Sequence, residues 1–350
     1  MKASFVSNLS LQNTMRLTVA KAQKEMQQLQ EETVTGRHAD VGTALGAKTA
    51  RTLNLHRDLQ RMESLKSTNA LTTQRLAASQ EALGQMSSAA NDAMEVLIAL
   101  SGITSADQLD LAKQNIGNAL STFTAAANTS FSGEYLFAGI NSDVIPFNDY
   151  SEAPLSAAKT TFDNAFFAHF GITQTDPAVA NIAPADMQAF IDDLETSFMG
   201  SDWEADWSNA SDENMQSRIS AAETVQSSTN TNATGMRYMA LGLVIGQELL
   251  ALGISEQTRK TVSDSAIDYM GRAISGIDGE RSKLGISESR VTQANTSLDA
   301  QITILNTSIK DMEGIDTYEA ATRVTTLESQ LSLAYTLTSR IQNLSLLNYL

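Results

Sequence analysis

Apolar residues recur along this chain at intervals of three and four, and the pattern is cleanest at its two ends. From Asp316 onward, Val324, Leu327, Leu331, Ala334, Ile341 and Leu344 repeat, with Thr338 in the one gap. That spacing predicts a helix with a single seam meant for other helices. Asp316 is placed to cap its start, with Glu319 three residues on, and Gly314 reads as the stop of the helix before it. At the other end, Leu11, Met15, Val19, Ala22, Met26, Leu29 and Thr33 form a matching series that stops at Gly36. We expect these two stripes to be assembly surfaces. The candidate interface residues are Leu11, Met15, Val19, Met26 and Leu29, with Val324, Leu327, Leu331, Ile341, Leu344, Leu347 and Leu350. Leu17, Leu333, Leu337 and Leu346 lie off the main seams, so each helix carries more apolar surface than one partner covers.

Between the ends the helical pattern continues. A long helix is predicted from about Thr49 to Leu100, with heptad positions Leu55, Leu59, Met62, Lys66, Asn69, Thr73, Leu76, Gln80, Leu83, Ser87, Ala90, Met94 and Leu97. Several are polar, which suits a bundle with several partners better than an isolated two-stranded coil. At 1.5 Å per residue it spans ~75 Å. A third helix follows from about Ser105 to Asn128. Gly133 to Gly139, enclosing Tyr135, Leu136 and Phe137, reads as a short strand and turn. In the C-terminal arm, Ile219, Ala222 and Val225 predict the opening of a helix, and Met236 to Leu252 a second, with the apolar patch from Leu241 to Ile254 buried. Val262, Ala266, Met270, Ala273 and Ile277 predict a third, and Ile286 to Met312 a fourth.

Proline position divides the chain. All four prolines, Pro146, Pro154, Pro177 and Pro184, fall in its middle, as do ten of its twenty aromatic residues, from Phe147 to Trp207. The expected fold is therefore mainly α: long antiparallel helical bundle or coiled-coil rods formed by the two arms, with a central mixed α/β or β-containing insert. The expected domains are a terminal assembly domain (1–40 with 314–350), a helical rod domain (41–140 with 215–313) and an outer domain (141–214). The mirrored arms predict a hairpin with both ends of the chain together.

Charge sharpens this division. Of a net charge of -16, residues 141–216 hold -13, with fourteen acids against Lys159. The nearly balanced remainder carries no nucleic-acid footprint. The first residues have no apolar signal core, and no apolar run reaches membrane length, so neither a cleaved signal peptide nor a membrane partner is expected. There is no cysteine, which excludes thiolate metal sites and cysteine nucleophiles. His38, His56 and His169 are scattered and make no ligand pair. Asp192–Asp193 and the Asp202, Glu204, Asp206 group lack the glycine and terminal glutamate of an EF-hand loop and read as solvated surface. No phosphate loop or nucleophile elbow occurs. No cofactor, metal or catalytic residue is expected.

Gln28 to Arg37, with Thr35-Gly36-Arg37 at its end, resembles the N-terminal Ser-Gly-Arg turn of the bacterial flagellin superfamily. Ile274 to Gly285, with Arg281, Leu284 and Gly285, is similar to the C-terminal element of the same superfamily. Gly133, Tyr135, Leu136, Phe137, Ala138 and Gly139, followed by Pro146 and Phe147, resemble a motif of its hook-filament junction branch, the type 3 hook-associated proteins. The ending Leu344 to Leu350 resembles that branch too. The resemblance implies a structural adaptor in the bacterial flagellum. It would be exported through the flagellar type III channel and assembled outside the cell as a homo-oligomeric ring. Its implied partners are the type 1 hook-associated protein, flagellin and a cytoplasmic export chaperone. A filament-forming flagellin and, from another class, a cytoplasmic helical scaffold or signalling rod are the alternatives.

Overall fold

The computed structural model describes residues 8–100, 105–151 and 155–347, with side chains at 10, 13–100, 105, 107–151 and 155–340. The chain is mainly α-helical. It divides into two compact units, Met1–Ser64 with Leu298–Leu350, and Leu65–Ser297. We refer to these as unit 1 and unit 2.

Unit 1 contains α1 (Asn8–Thr35), α2 (Val41–Leu45), the first turns of α3 (Thr49–Leu100), the last turns of α9 (Glu256–Glu313) and α10 (Thr317–Leu347). α1 ends because Gly36 adopts φ +67°, a left-handed conformation that costs a residue with a Cβ more. The Gly36 carbonyl accepts the Ile315 N–H at 3.1 Å, and the Glu313 carbonyl accepts the His38 N–H at 3.0 Å. These bonds turn α10 back along α1, so the two run antiparallel. Asp316 caps α10 as its position suggests: its Oδ1 accepts from the Tyr318 and Glu319 N–H groups at 2.9 and 3.2 Å.

Unit 2 is built on the remainder of α3 and α9, which run antiparallel here. The Asn69 amide donates to Asn295 at 2.8 Å, and Gln80 donates to the Arg281 carbonyl at 2.7 Å. Around them pack α4 (Ala106–Ala127), α5 (Ala157–Phe170), α6 (Pro184–Met199), the short α7 (Asp202–Asp206) and α8 (Thr234–Leu249). One apolar core runs through them all, from Leu76 and Leu97 to Phe123, Phe147, Phe190, Trp203 and Val244. The aromatics of the proline-containing middle share this core. α8 is buried over nearly its whole length. Its start touches α9 backbone to backbone: a Cβ on Gly235 would lie 2.7 Å from Gly276.

Among the described residues the strands form two small antiparallel hairpins at the edges of the middle segment. In the first, β1 (Ser130–Phe131) pairs with β2 (Glu134–Tyr135). Ser132 and Gly133 turn between them, both with positive φ, the geometry a two-residue hairpin requires. The second pairs β3 (Gln216–Arg218) with β4 (Thr224–Gln226). It replaces the helix predicted from Ile219, Ala222 and Val225. Three apolar residues fit both periods, and here the Ile219 N–H bonds to the Glu223 carbonyl at 3.0 Å to close a turn. The third and fourth predicted helices of the C-terminal arm are one, α9. Gly271, Gly276, Gly279 and Gly285 do not break it. Each glycine costs ~1 kcal/mol in a helix interior, and burial of Val262, Met270, Ile277, Leu284 and Val291 offsets that.

Gly139 tests how tightly unit 2 is closed. It has φ +64°, and a Cβ there would sit 2.4 Å from the Ser211 carbonyl oxygen. Gly139→Ala is expected to destabilise unit 2 by ~3 kcal/mol. Denaturant unfolding followed by tryptophan fluorescence reads this directly; an unchanged midpoint would mean that the loop yields freely.

Candidate assembly surfaces

The seam between α1 and α10 is a stack of small and medium apolar side chains. Leu29 packs with Ala320 and Leu327, and Ala22, Met26, Ile315 and Val324 lie against them half-buried. Leu331 is buried as well. Met15 and Val19 are half-buried. The side chains of Leu11, Ile341, Leu344, Leu347 and Leu350 lie outside the described residues. Two polar rungs fix the register: Gln23 donates to the Tyr335 hydroxyl at 2.6 Å, and Arg323 pairs with Glu25 at 3.0 Å. A cleft of about 440 Å³ opens beside Met26, Leu331 and Tyr335.

This seam covers little of either helix. Among the described side chains of α1 only Leu29 is buried, and on α10 only Ala320, Leu327 and Leu331. Leu17, Leu333 and Leu337 stand 68, 65 and 50 % exposed. A fully buried leucine is worth ~2 kcal/mol, whereas fixing each residue's backbone costs 1–2 kcal/mol. Two long helices sharing so few buried side chains gain little from each other, and the exposed leucines are free for other molecules.

Where α1 and α10 meet, a buried carboxylate holds the turn. Glu313 ends α9 with its side chain 4 % exposed; His56 Nε2 lies 2.8 Å from it and Arg37 Nη1 3.6 Å. Glu32, near the end of α1, accepts the Ala39 N–H at 3.1 Å. In the sequence His56 stands only as one of three scattered histidines with no ligand pair, and nothing marks this cluster. Its partners come from α3, α9 and the α1–α2 link, so no local spacing could mark them.

The motif residues of unit 2 are internal. Leu136, Phe137, Ala138 and Phe147 are fully buried. The Asn128 amide brackets Phe147, donating to its carbonyl at 2.8 Å and accepting its N–H at 3.0 Å. Tyr135 is half-buried in β2, Gly133 makes the hairpin turn, and Pro146 gives its carbonyl to the Asn209 N–H at 3.1 Å. In α9, Leu284 is buried, Gly285 faces Gln80, and Arg281 is exposed with Asp278 at 3.3 Å.

The chemically reactive groups of unit 2 serve as structural ties. Glu248, buried on α8, meets Lys159 of α5 at 3.3 Å and the Tyr150 hydroxyl at 3.1 Å. Burial, with Glu248 adding to it, pushes the Tyr150 pKa far above the ordinary phenol value, so Tyr150 remains a donor. Glu195 accepts from the Tyr269 hydroxyl at 2.9 Å and from Arg272 at 3.1 Å. His169 lies 3.2 Å from Asp193. No group of three or more metal-binding side chains occurs among the described residues.

Two family models match the chain, the bacterial flagellin N-terminal helical region over residues 6–142 and its C-terminal helical region over 267–350. The chain belongs to the bacterial flagellin superfamily. The two matches cover well over half of its length and contain α1, α10 and the Glu313 turn. No curated protein sequence matches it. Among solved structures, the flagellin-superfamily chain is similar to a protein from Vibrio parahaemolyticus assigned to the flagellar hook-associated proteins. The TM-score is 0.55 at 9 % identity, over 77 % of this chain and 99 % of that one. It is also similar to Bacillus cereus FlgL, at TM-score 0.50 and 13 % identity, over 73 % of this chain and 99 % of that one. At such identities the likeness is one of fold.

Removing His56 leaves Glu313 buried with only the longer Arg37 contact. His56→Ala is expected to speed tryptic cleavage after Arg37 about tenfold, equivalent to 1.4 kcal/mol of local opening. Cleavage within unit 2 should not change. Equal rates after Arg37 in both proteins would show that the histidine contributes nothing to the turn.

Proposed function

We propose that this chain is a structural adaptor of the bacterial flagellum, standing between the hook-side ring and the flagellin filament. The observation that carries this reading is the combination of a thin α1–α10 seam with leucines left exposed on its outer faces. Such helices reach full burial only in a polymer. Burying ~1,500 Å² per neighbour would make a permanent joint without any dominant residue. The interface falls on Met15, Val19, Met26, Leu29, Val324, Leu327 and Leu331, continued by Leu11, Ile341, Leu344, Leu347 and Leu350.

In this role residues 1–40 and 314–350 form the assembly domain, 41–140 and 215–313 the helical rod, and 141–214 the acidic outer domain. Like charge on 141–214 keeps outer surfaces apart. The copies form a ring that contacts the type 1 hook-associated protein on one side and flagellin on the other. Export follows the flagellar type III route in an unfolded state, with a cytoplasmic chaperone covering the C-terminal seam, and the chain functions outside the cell. Supporting the junction place over the filament itself are the Tyr135 to Gly139 motif with Pro146 and Phe147, and the fold shared with hook-associated proteins. A filament-forming flagellin is the second reading, favoured by the superfamily membership alone.

Deleting the gene separates them. The junction role requires loss of motility, flagellin released into the medium and intact hooks. Cells that keep normal filaments would refute it, and intact hooks with no flagellin anywhere would favour the second reading. At residue level, Leu331→Asp should abolish assembly and leave Trp203 fluorescence in unit 2 unchanged. Retained assembly would remove the seam from the account.

A further inference from the structure

Unit 2 carries a long groove that none of the described residues fills. It encloses about 1,020 Å³ between α3 and α4, with Arg281 at one edge. Along α3 its floor and rim are Gly84, Ser88, Asp92, Glu95 and Ala99, a stripe at helical spacing over ~22 Å. Asn115 and Asn118 of α4 form part of the opposite wall. Gly84 is the residue that the fold does not require. It lies inside a helix at ordinary negative φ, and a Cβ there would meet nothing within 4 Å. Glycine at such a place costs ~1 kcal/mol against alanine, and no neighbour in the chain needs the space. The space is useful to something that approaches from outside.

The first turns of α3, in unit 1, offer a complementary face. Thr52 is buried there and His56 half-buried, while Ala50, Leu53, Arg57, Arg61 and Ser64 lie on the opposite, exposed side. Leu53 is 54 % exposed. Arg57 has no ion pair among the described residues, and Arg61 has only exposed Asp58 at 3.8 Å. The steps are similar. Leu53, Arg57 and Arg61 are four residues apart, and the groove presents the hole at Gly84–Ser88, then Asp92 four residues after Ser88, then Glu95 three residues further. Guanidinium forks suit carboxylates, and wall amides add acceptors.

We infer that this groove receives the Leu53–Arg61 face of α3 from a second copy of the chain, the two helices running parallel. Leu53 seats over Gly84 and Ser88, Arg57 meets Asp92, and Arg61 meets Glu95. The contact is heterologous, one surface on one copy and a different surface on the next. Repetition therefore closes into a ring or extends as a helix. The inference rests on the self-assembly part of the function proposed above, and it adds a second contact, separate from the α1–α10 seam.

The absence of native cysteine permits a direct test. Ser88→Cys on one preparation of the full chain is mixed with Leu53→Cys on another, and disulfide formation between them under a fixed concentration of added diamide as oxidant is timed. The expected rate is about tenfold above that of Ser88→Cys mixed with Thr160→Cys on α5, falling as salt rises. Arg57→Glu with Arg61→Glu should abolish the excess, and Asp92→Lys with Glu95→Lys on the other copy should restore it. A rate no higher than the control overturns the inference. So does a faster reaction with Leu17→Cys, which would assign the groove to the face of α1 that carries Leu17, Lys21 and Lys24. Cross-linking by the expected pair in a protein absent from the junction would refute only the proposed place. Junction assembly without that cross-link would refute only the groove contact.

Discussion

The contact on which the rest of this structure depends is the shared burial of Leu29, Leu327 and Leu331 between α1 and α10. It is enough to choose a register, because the Gln23–Tyr335 and Glu25–Arg323 rungs agree with it. It is too little to satisfy two helices whose outer faces still show Leu17, Leu333 and Leu337. The hydrophobic effect scales with area removed from water. A pair that leaves many of its apolar positions partly or wholly wet therefore gains further by taking on more neighbours. The turn at Gly36, Glu313 and Gly314 sets the direction in which the pair leaves α9, so assembly chemistry is joined to a fixed local geometry.

Unit 2 is held by the opposite arrangement. Its core is continuous, α8 is buried nearly all round, and close approaches such as Gly235 on Gly276 leave no slack. Its charges are paired across elements: buried Glu248 with Lys159, and half-buried Glu195 with exposed Arg272 and two tyrosines. At the buried pair, removing Lys159 leaves the Glu248 charge stranded, so this tie specifies geometry more than it adds stability. A closed body of this kind suits a part that has to keep its surfaces in place while mechanical load passes through many small contacts.

Much of this was legible in the residues. The three-and-four spacing found α1, α3, α4 and α10 nearly to their ends, since no competing signal interrupts those stripes. The glycine-bounded strand and turn at Gly133 to Gly139 is there in shortened form: only Glu134–Tyr135 is strand, and it pairs back onto Ser130–Phe131. The pattern failed where a local rule met a tertiary one. The glycines of α9 read as breaks, yet the core on Met270, Ile277 and Leu284 carries the helix through them. Ile219, Ala222 and Val225 fit a helical period, yet Ile219 and Glu223 close a hairpin. The Glu313–His56–Arg37 cluster and the groove over Gly84 join residues far apart in sequence, and spacing cannot report what only folding brings together.

Everything above turns on how firmly α1 and α10 are held before other molecules join them. Hydrogen exchange on the purified monomer and on the assembled protein measures this residue by residue. The account expects amides of Thr18–Leu29 and Ala320–Leu331 to exchange early in the monomer, well before those of α8, and to slow by orders of magnitude on assembly. Monomer amides on α1 and α10 as protected as those of α8, and unchanged by assembly, would contradict it.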